Sequence, residues 1–388
     1  MGEDNMKRVS RYLSKTLFVG LSLVVGLTVR GHAQEVSLGA LVSLDGPASF
    51  VGISAQAGLK VAVEVINKDP EKYLGAKSRK IAIDIRNAGA TNGQALTLAR
   101  EFAGNSSVLA ILGPSLSPQA LALGPFAQQS SVPFLIMHSP AGGLTDPGKY
   151  VFAIAQDGEH LASYGAGAYL KKYATTKRAG VIYGSDNQGN ILIAQAATKS
   201  FKDGGVEVTQ FSLPFASLDF SNAIDSMKAA NVEVIYLGQG SPAITAAIQQ
   251  AERVGFKPHY VGYGTMAAPT VLKNVGALLN GSIIATDYDP ALDTAENKVF
   301  AEAYSKSATG EPDTYAAQAY ASVMLVADAI KSQSKMPNRE ELATALAGIK
   351  SNKSVLGSGT FGFTATRTTA SPPALLQVVG GELKSYKP

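Results

Sequence analysis

The chain has 388 residues, with 46% hydrophobic and 16% charged residues, 39 Gly, 18 Pro and neither Cys nor Trp. That length corresponds to roughly two domains, and the apolar fraction excludes a disordered chain. Without cysteine there is no disulfide framework, no thiol nucleophile, no Cys-ligated zinc and no lipidated N-terminal Cys, so no lipid anchor is expected. A formal charge of +4 over this length gives no reason to expect a nucleic-acid partner.

Most of that charge sits at the start. Residues 1–33 hold Lys7, Arg8, Arg11, Lys15 and Arg30 against Glu3 and Asp4, three of the four net positive charges. The basic stretch Lys7 to Lys15 is followed by the uncharged run Thr16 to Val29, which is shorter than the ~20 residues a membrane-spanning helix needs. Gly31-His32-Ala33 then places small residues at the positions a signal peptidase reads. Residues 1–33 are therefore expected to be an export signal, cut near Ala33, with Met6 an alternative start. The protein is expected in the periplasm.

Beyond the leader, short β-branched runs alternate with segments of helical period. Val36 to Val42, Lys80 to Ile85, Val108 to Leu112 and Val132 to Met137 read as buried parallel strands. Helices are expected at Ala55–Asn67, Asn92–Ala103 and Pro118–Gln129 between them. The pattern restarts with strands at Arg178–Tyr183, Val206–Leu213, Val232–Leu237 and Pro258–Tyr263, separated by helices near 190–203, 220–230 and 242–254. Ile283 to Thr286 precedes a helix-rich stretch, Glu296–Ser307, Asp313–Ser334 and Arg339–Ser351. Ala374–Val379 and Glu382–Tyr386 read as a hairpin turning at Gly380-Gly381.

Repeated βα alternation implies doubly wound α/β sheets. Two such runs without a flexible linker imply two lobes joined by crossing strands, with a ligand cleft between them. Ala153-Ile154-Ala155, Ala285-Thr286-Asp287 and Gly359-Thr360-Phe361 are the expected crossings. The first lobe is expected to comprise 34–154 and 285–360, the second 155–284 and 361–388.

Motifs that suggest catalysis fail on context. Gly143 to Lys149 fits a phosphate loop, but Tyr150 stands where a Ser or Thr is needed and a strand pattern follows. Gly238-Gln239-Gly240 lies between a strand and a helix, yet no acid ends the next strand, and Pro242 suits an ordinary first turn. Gly357 to Gly362 is followed by no helical period. His32, His138, His160 and His259 are scattered, and no local spacing offers a metal site. Neither a cofactor nor an enzymatic activity is expected.

In open α/β sheets ligands sit beyond the carboxyl ends of strands. Those positions hold Ser43 and Phe50, then Ser115 and Ser117, then His138, Ser139 and Ala141. The second run adds Tyr183, Gln239, Tyr263 and Thr265. These small, hydroxyl-bearing and aromatic residues suit a neutral or carboxylate ligand held by hydroxyls and helix N-terminal N–H groups. Each also has an ordinary role: Ser117 as a helix cap, His138 as a strand-end histidine, Tyr183 and Tyr263 as core aromatics, Asp186 and Asn187 as turn residues.

Together these residues resemble the branched-chain amino-acid-binding protein family of ABC-importer receptors. The marks are GALVSLDGPASFVG at 39–52, Val65-Ile66-Asn67, LAILGPSLS at 109–117 and Val132-Pro133-Phe134. Tyr150-Val151-Phe152, Leu218 to Ser221 and the helix from Tyr315 to Ile330 complete them, and the match spans about 35–385. The resemblance implies two lobes, three crossings, capture by closure and delivery to permease subunits in the inner membrane. By the same resemblance Ser117 falls on a carboxylate-contacting position, and the carbonyl that accepts an ammonium falls near His138. A family threonine falls on Pro140, the acid that pairs with an ammonium falls on Gly264, and aromatic positions fall near Gln188 and Gly240. The first-loop tyrosine falls on Val51, with Phe50 beside it. With the ammonium half missing, the expected ligand is an aromatic or aliphatic carboxylate or an amide rather than a free amino acid. A periplasmic sensor, an exported enzyme on this fold and a receptor for branched-chain amino acids are the alternatives.

Overall fold

The computed structural model describes residues 35–388 apart from 78 and 309. The expected export signal lies outside the described residues. The first stretch runs β1 (Val36–Val42), α1 (Ser49–Lys68), α2 (Pro70–Leu74), β2 (Ile81–Asn87), α3 (Asn92–Gly104), β3 (Val108–Leu112), α4 (Ser117–Ser130), β4 (Phe134–Ile136) and β5 (Val151–Ala153). These five strands form one parallel sheet in the order β2-β1-β3-β4-β5.

The second stretch runs α5 (Gly158–Lys172), β6 (Arg178–Gly184), α6 (Gln188–Asp203), β7 (Glu207–Leu213), α7 (Ser221–Ala229), β8 (Val234–Gly238), α8 (Ser241–Arg253), β9 (His259–Tyr263), α9 (Pro269–Val275) and β10 (Ile283–Thr286). Its strands lie in the order β7-β6-β8-β9-β10, all parallel, so the two sheets share one winding. The chain then returns through α10 (Ala295–Ser307), α11 (Thr314–Lys331), α12 (Arg339–Ala347) and the small pair β11 (Asn352–Lys353) and β12 (Thr360–Phe361). It ends with the hairpin β13 (Ala374–Val379) and β14 (Glu382–Ser385), added antiparallel at the edge of the second sheet beside β10.

Each lobe buries apolar helix faces against its sheet. In the first, Leu38, Ala40 and Leu112 pack with Leu59 and Ile66 of α1, Phe300 of α10 and Val323 and Val326 of α11. In the second, Ile182, Ile235 and Leu237 pack with Ile244 and Ile248 of α8 on one face. Val181, Val234 and Val261 pack with Leu161, Tyr169 and Phe201 on the other. Strands covered on both faces explain their unbroken apolar runs.

The chain passes between the two sheets three times: after β5, after β10 and between β12 and β13. The last passage differs from the sequence expectation. Thr360 and Phe361 are paired with Asn352 and Lys353, so the crossing comes further on. α5 has no counterpart in the sequence reading, because its small residues blur the helical period. Those residues have a packing role, since a Cβ on Gly165 would already touch Ala285 and Val261 of the sheet.

Candidate functional site

An α/β sheet wound 2-1-3-4-5 places its ligand loops at the switch between the first and third strands. Here the switch points of both sheets face one another. The first contributes the loops after β1, β3 and β4, the second those after β6, β7 and β9. The cavity between them measures about 50 Å3 and is lined from both lobes by Phe50, Ser115, Ser117, His138, Asn187, Asn190, Phe215, Tyr263 and Thr265, among others. A larger cavity of about 580 Å3 lies among α2, α10, α11 and β11. No residue lining it follows a strand of either lobe sheet, so it is not the predicted kind of site.

The loop after β3 is held by the loop after β1. The Ser43 N–H donates to Ser115 Oγ at 3.1 Å, and Ser43 Oγ donates to the Gly89 carbonyl. α4 starts at Ser117, with Leu116 at the cap position, Pro118 in the first turn and no side-chain capping bond. Capping alone therefore does not account for Ser117. Its Oγ instead accepts from Ser139 Oγ at 2.9 Å, and it lines the cavity.

α11 supplies the back wall. Asp313 caps it through the N–H groups of Tyr315 and Ala316. The first turns then place Thr314, Tyr315 and Gln318 on the cavity. The His138 ring meets Tyr315 edge to face at 5.5 Å. His138 Nδ1 lies 2.8 Å from Gln318 Oε1, and Gln318 Nε2 donates to Asp287 Oδ2 at 2.7 Å. Asp287 Oδ1 accepts the Gln156 backbone N–H at 2.9 Å.

Burial dominates the electrostatics. It pushes the His138 pKa down to about 4, against a smaller upward pull from Gln318, so the ring is neutral at pH 7. It pushes Asp287 up to about 6, moderated by its bonds from Gln156 and Gln318. Tyr263 is raised to about 12 for the same reason. Asp287 is the one charged side chain in the cavity wall, and no Lys or Arg lines it. Three buried polar atoms of this wall have no partner among the described residues: His138 Nε2, Thr265 Oγ1 and Thr314 Oγ1.

From the second lobe, Asn187 caps α6 and Asn190 Nδ2 donates to the Gly238 carbonyl. The Phe215 N–H donates to Asp186 Oδ1 at 2.7 Å, which holds that ring at the cavity. The lobes are closed on each other. A Cβ on Gly240 would lie 3.2 Å from Phe50 of the other lobe, and one on Gly189 would lie 2.8 Å from Ser117 Oγ. Where the resemblance put an aromatic near Gly240, Phe50 from across the cleft occupies the adjoining space.

Of the eleven residues singled out by sequence, Phe50, Ser115, Ser117, His138, Tyr263 and Thr265 line the cavity. Ser43 and Ser139 stand one bond behind it, bracing Ser115 and Ser117. Ala141 is buried beside α3 and α4, and Tyr183 packs on the second lobe's core; neither reaches the wall. Gln239 is buried outside the lining, and its carbonyl accepts from the Tyr263 hydroxyl at 3.3 Å. Sequence reasoning missed Phe215, Asp287, Thr314, Tyr315 and Gln318. Asp287 carries a correction: Gly264 indeed offers no acid, but an acid reaches the cavity from the second crossing.

A sequence profile of the periplasmic binding proteins matches residues 35–382. The Leu/Ile/Val-binding protein BraC3 of Rhizobium johnstonii is 24% identical over 359 residues, 92% of this chain and 95% of that one. The crystal structure of a leucine-binding protein from Thermotoga maritima matches with a TM-score of 0.80 at 21% identity, covering 91% of this chain and 98% of that chain. A solute-binding protein of an ABC transporter from Rhodopseudomonas palustris BisB5, in complex with 3,4-dihydroxybenzoic acid, matches with a TM-score of 0.79 at 22% identity over 91% and 96%. Two wound lobes closing on one cleft, and a profile match from the first strand to the last hairpin, bear out the resemblance read from the residues: the chain belongs to the periplasmic binding protein family.

Proposed function

We propose that this protein is an exported solute receptor of an ABC importer, working in the periplasm and handing its ligand to permease subunits. The lobes close on a small, net-neutral solute with an N–H or O–H donor at one end and a carboxylate or carbonyl at the other. An amino acid or a carboxamide fits that description. The observation that carries this reading is the charge of the cavity wall: one acid, Asp287, and no base. A simple carboxylate would add a second buried negative charge without a cation to offset either. A zwitterion brings its own cation toward Asp287, while Ser115, Ser117 and the first turn of α4 offer hydroxyls and N–H groups to its carboxylate. The Leu/Ile/Val-binding and leucine-binding relatives agree with this class.

Binding rather than turnover is the activity. Nδ1 of His138 is taken by Gln318, and neither ring nitrogen bonds a cavity hydroxyl, so His138 forms no base–hydroxyl pair with the cavity wall.

A second reading, an aromatic acid, draws on the rings of Phe50, Phe215, Tyr263 and Tyr315 and on the dihydroxybenzoate-bound relative. It is disfavoured by charge, because a benzoate-type acid brings a second buried negative charge beside Asp287 with no base to offset it.

Thermal shift of the mature chain at pH 7 separates these readings, using L-leucine, acetamide, urea, benzoate and 3,4-dihydroxybenzoate. A bound ligand at a hundred times its Kd adds about 2.7 kcal/mol. Stabilisation by leucine or an amide is expected. Stabilisation by benzoate alone would replace the proposed ligand class with simple acids.

A further inference from the structure

The hydrogen bonds behind the cavity form a chain whose direction is fixed at one end. The Gln156 backbone N–H can only donate, so Asp287 Oδ1 must accept. The ionised carboxylate accepts again at Oδ2, so Gln318 must present its amide nitrogen there. That leaves Gln318 Oε1, an acceptor, facing His138 Nδ1. Nδ1 therefore holds the ring's single proton, and Nε2 is a bare lone pair. The side-chain amide alone does not decide this; the backbone N–H two bonds away does. His138 lines the cavity, its ring is pinned edge to face on Tyr315, and Nε2 is buried without a partner among the described residues.

We infer that His138 is a specificity-determining residue: its Nε2, held as an acceptor by Asp287 through Gln318, selects ligands that bring an N–H or O–H donor. Asp287 is a positioning residue in this arrangement and sets the polarity of an atom it does not touch. The inference rests on the solute-receptor reading and narrows it to ligands with a donor at one end. A ligand lacking that donor leaves Nε2 unpaired and binds about ten- to a hundredfold more weakly.

Long-range 1H–15N spectra of the ligand-free protein test the tautomer directly, with His138→Phe used to assign the signal. Nδ1 protonated and Nε2 bare is the expected result; a protonated Nε2 overturns the inference. Asp287→Asn reverses the chain. Its Oδ1 must still face the Gln156 N–H, so its Nδ2 faces Gln318 and turns that amide over, moving the His138 proton to Nε2. An unchanged tautomer in this variant shows that Asp287 does not set it. The ligand arm compares 2-hydroxy-4-methylpentanamide with 4-methylpentanamide, a neutral pair differing by one donor. Wild type should favour the hydroxy amide at least tenfold, and His138→Phe, which keeps a ring against Tyr315 without an acceptor, should lose the preference. Equal preference in both proteins overturns the role of Nε2. If neither these amides nor the thermal-shift panel binds, the receptor reading fails, while the spectra still decide the tautomer.

Discussion

The Gln156 N–H donates to Asp287 Oδ1 over 2.9 Å and so ties the first passage between the lobes to the second. The Gln156 side-chain amide donates to the Ser371 carbonyl, which lies in the third passage. One glutamine and one carboxylate thus join all three passages between the lobes, and Gln318 extends the same network to the cavity. Closure of two lobes on a ligand bends such segments together. A bonded cross-link at this point couples the three passages.

Asp287→Ala should therefore destabilise the fold. It strips two buried donors, the Gln156 N–H and Gln318 Nε2, of their acceptor, at about 1–3 kcal/mol for each group left unpaired. Urea unfolding should show a lower midpoint. A midpoint equal to wild type would mean that the crossings are held together by other contacts.

The pH dependence of that site has a definite sign. Asp287 is raised to about 6, above its unfolded value, so its contribution is fully present below the ordinary carboxylate range and is lost as pH rises through 6. A shift of about two units corresponds to about 3 kcal/mol. His138, lowered to about 4, behaves oppositely: its contribution is present above its ordinary pKa and is lost as pH falls through 4. Asp287→Asn removes only the first dependence. Its stability relative to wild type should rise by roughly 2.4 kcal/mol between pH 4 and pH 8. A flat difference across that range would place Asp287 at its ordinary pKa.

These residues also show what the sequence carries and what it hides. β1, β3, β6 and β8 were legible because strands covered on both faces need unbroken apolar runs, and the residues after β3, β4 and β9 include Ser115, Ser117, His138 and Thr265. Asp287 was hidden because its partners lie 131 and 31 residues away, and only the chain's return from the second lobe brings them together. Gln318 left a fainter signal. Thr314, Gln318 and Ser322 recur every four residues along a helix otherwise buried through Ala, Val and Leu, and polar groups on such a face need partners. α5 was lost for the opposite reason, since small residues chosen for close packing erase the apolar stripe that marks a helix.

Ser117→Ala separates capping from ligand contact. The serine is not the cap of α4, but its loss leaves the buried Ser139 hydroxyl without its acceptor, so a loss of stability of about 1 kcal/mol is expected. Its hydroxyl lines the cavity, and removing a hydrogen bond to a ligand carboxylate should weaken binding by about 1.5–3 kcal/mol. Calorimetric titration with L-leucine measures the second effect. A melting point that drops while affinity holds would return Ser117 to a purely structural role beside Ser139.

Gly189→Ala sets stability against closure. Gly189 lies in the first turn of α6, where its backbone has ordinary helical angles, and alanine favours a helix by up to about 1 kcal/mol over glycine. Within its own lobe the substitution is therefore neutral or stabilising. Across the cleft it is obstructive. The added Cβ would sit 2.8 Å from Pro140 Cγ and 2.8 Å from Ser117 Oγ, both in the other lobe, closer than such atoms approach. The expected result is an unchanged or raised melting temperature for the ligand-free protein with at least about tenfold weaker binding, ~1.4 kcal/mol. Small-angle scattering with and without ligand reads the same effect as a smaller compaction on binding than in wild type. Wild-type affinity in this variant would mean that the ligand is held with the lobes further apart than they lie here.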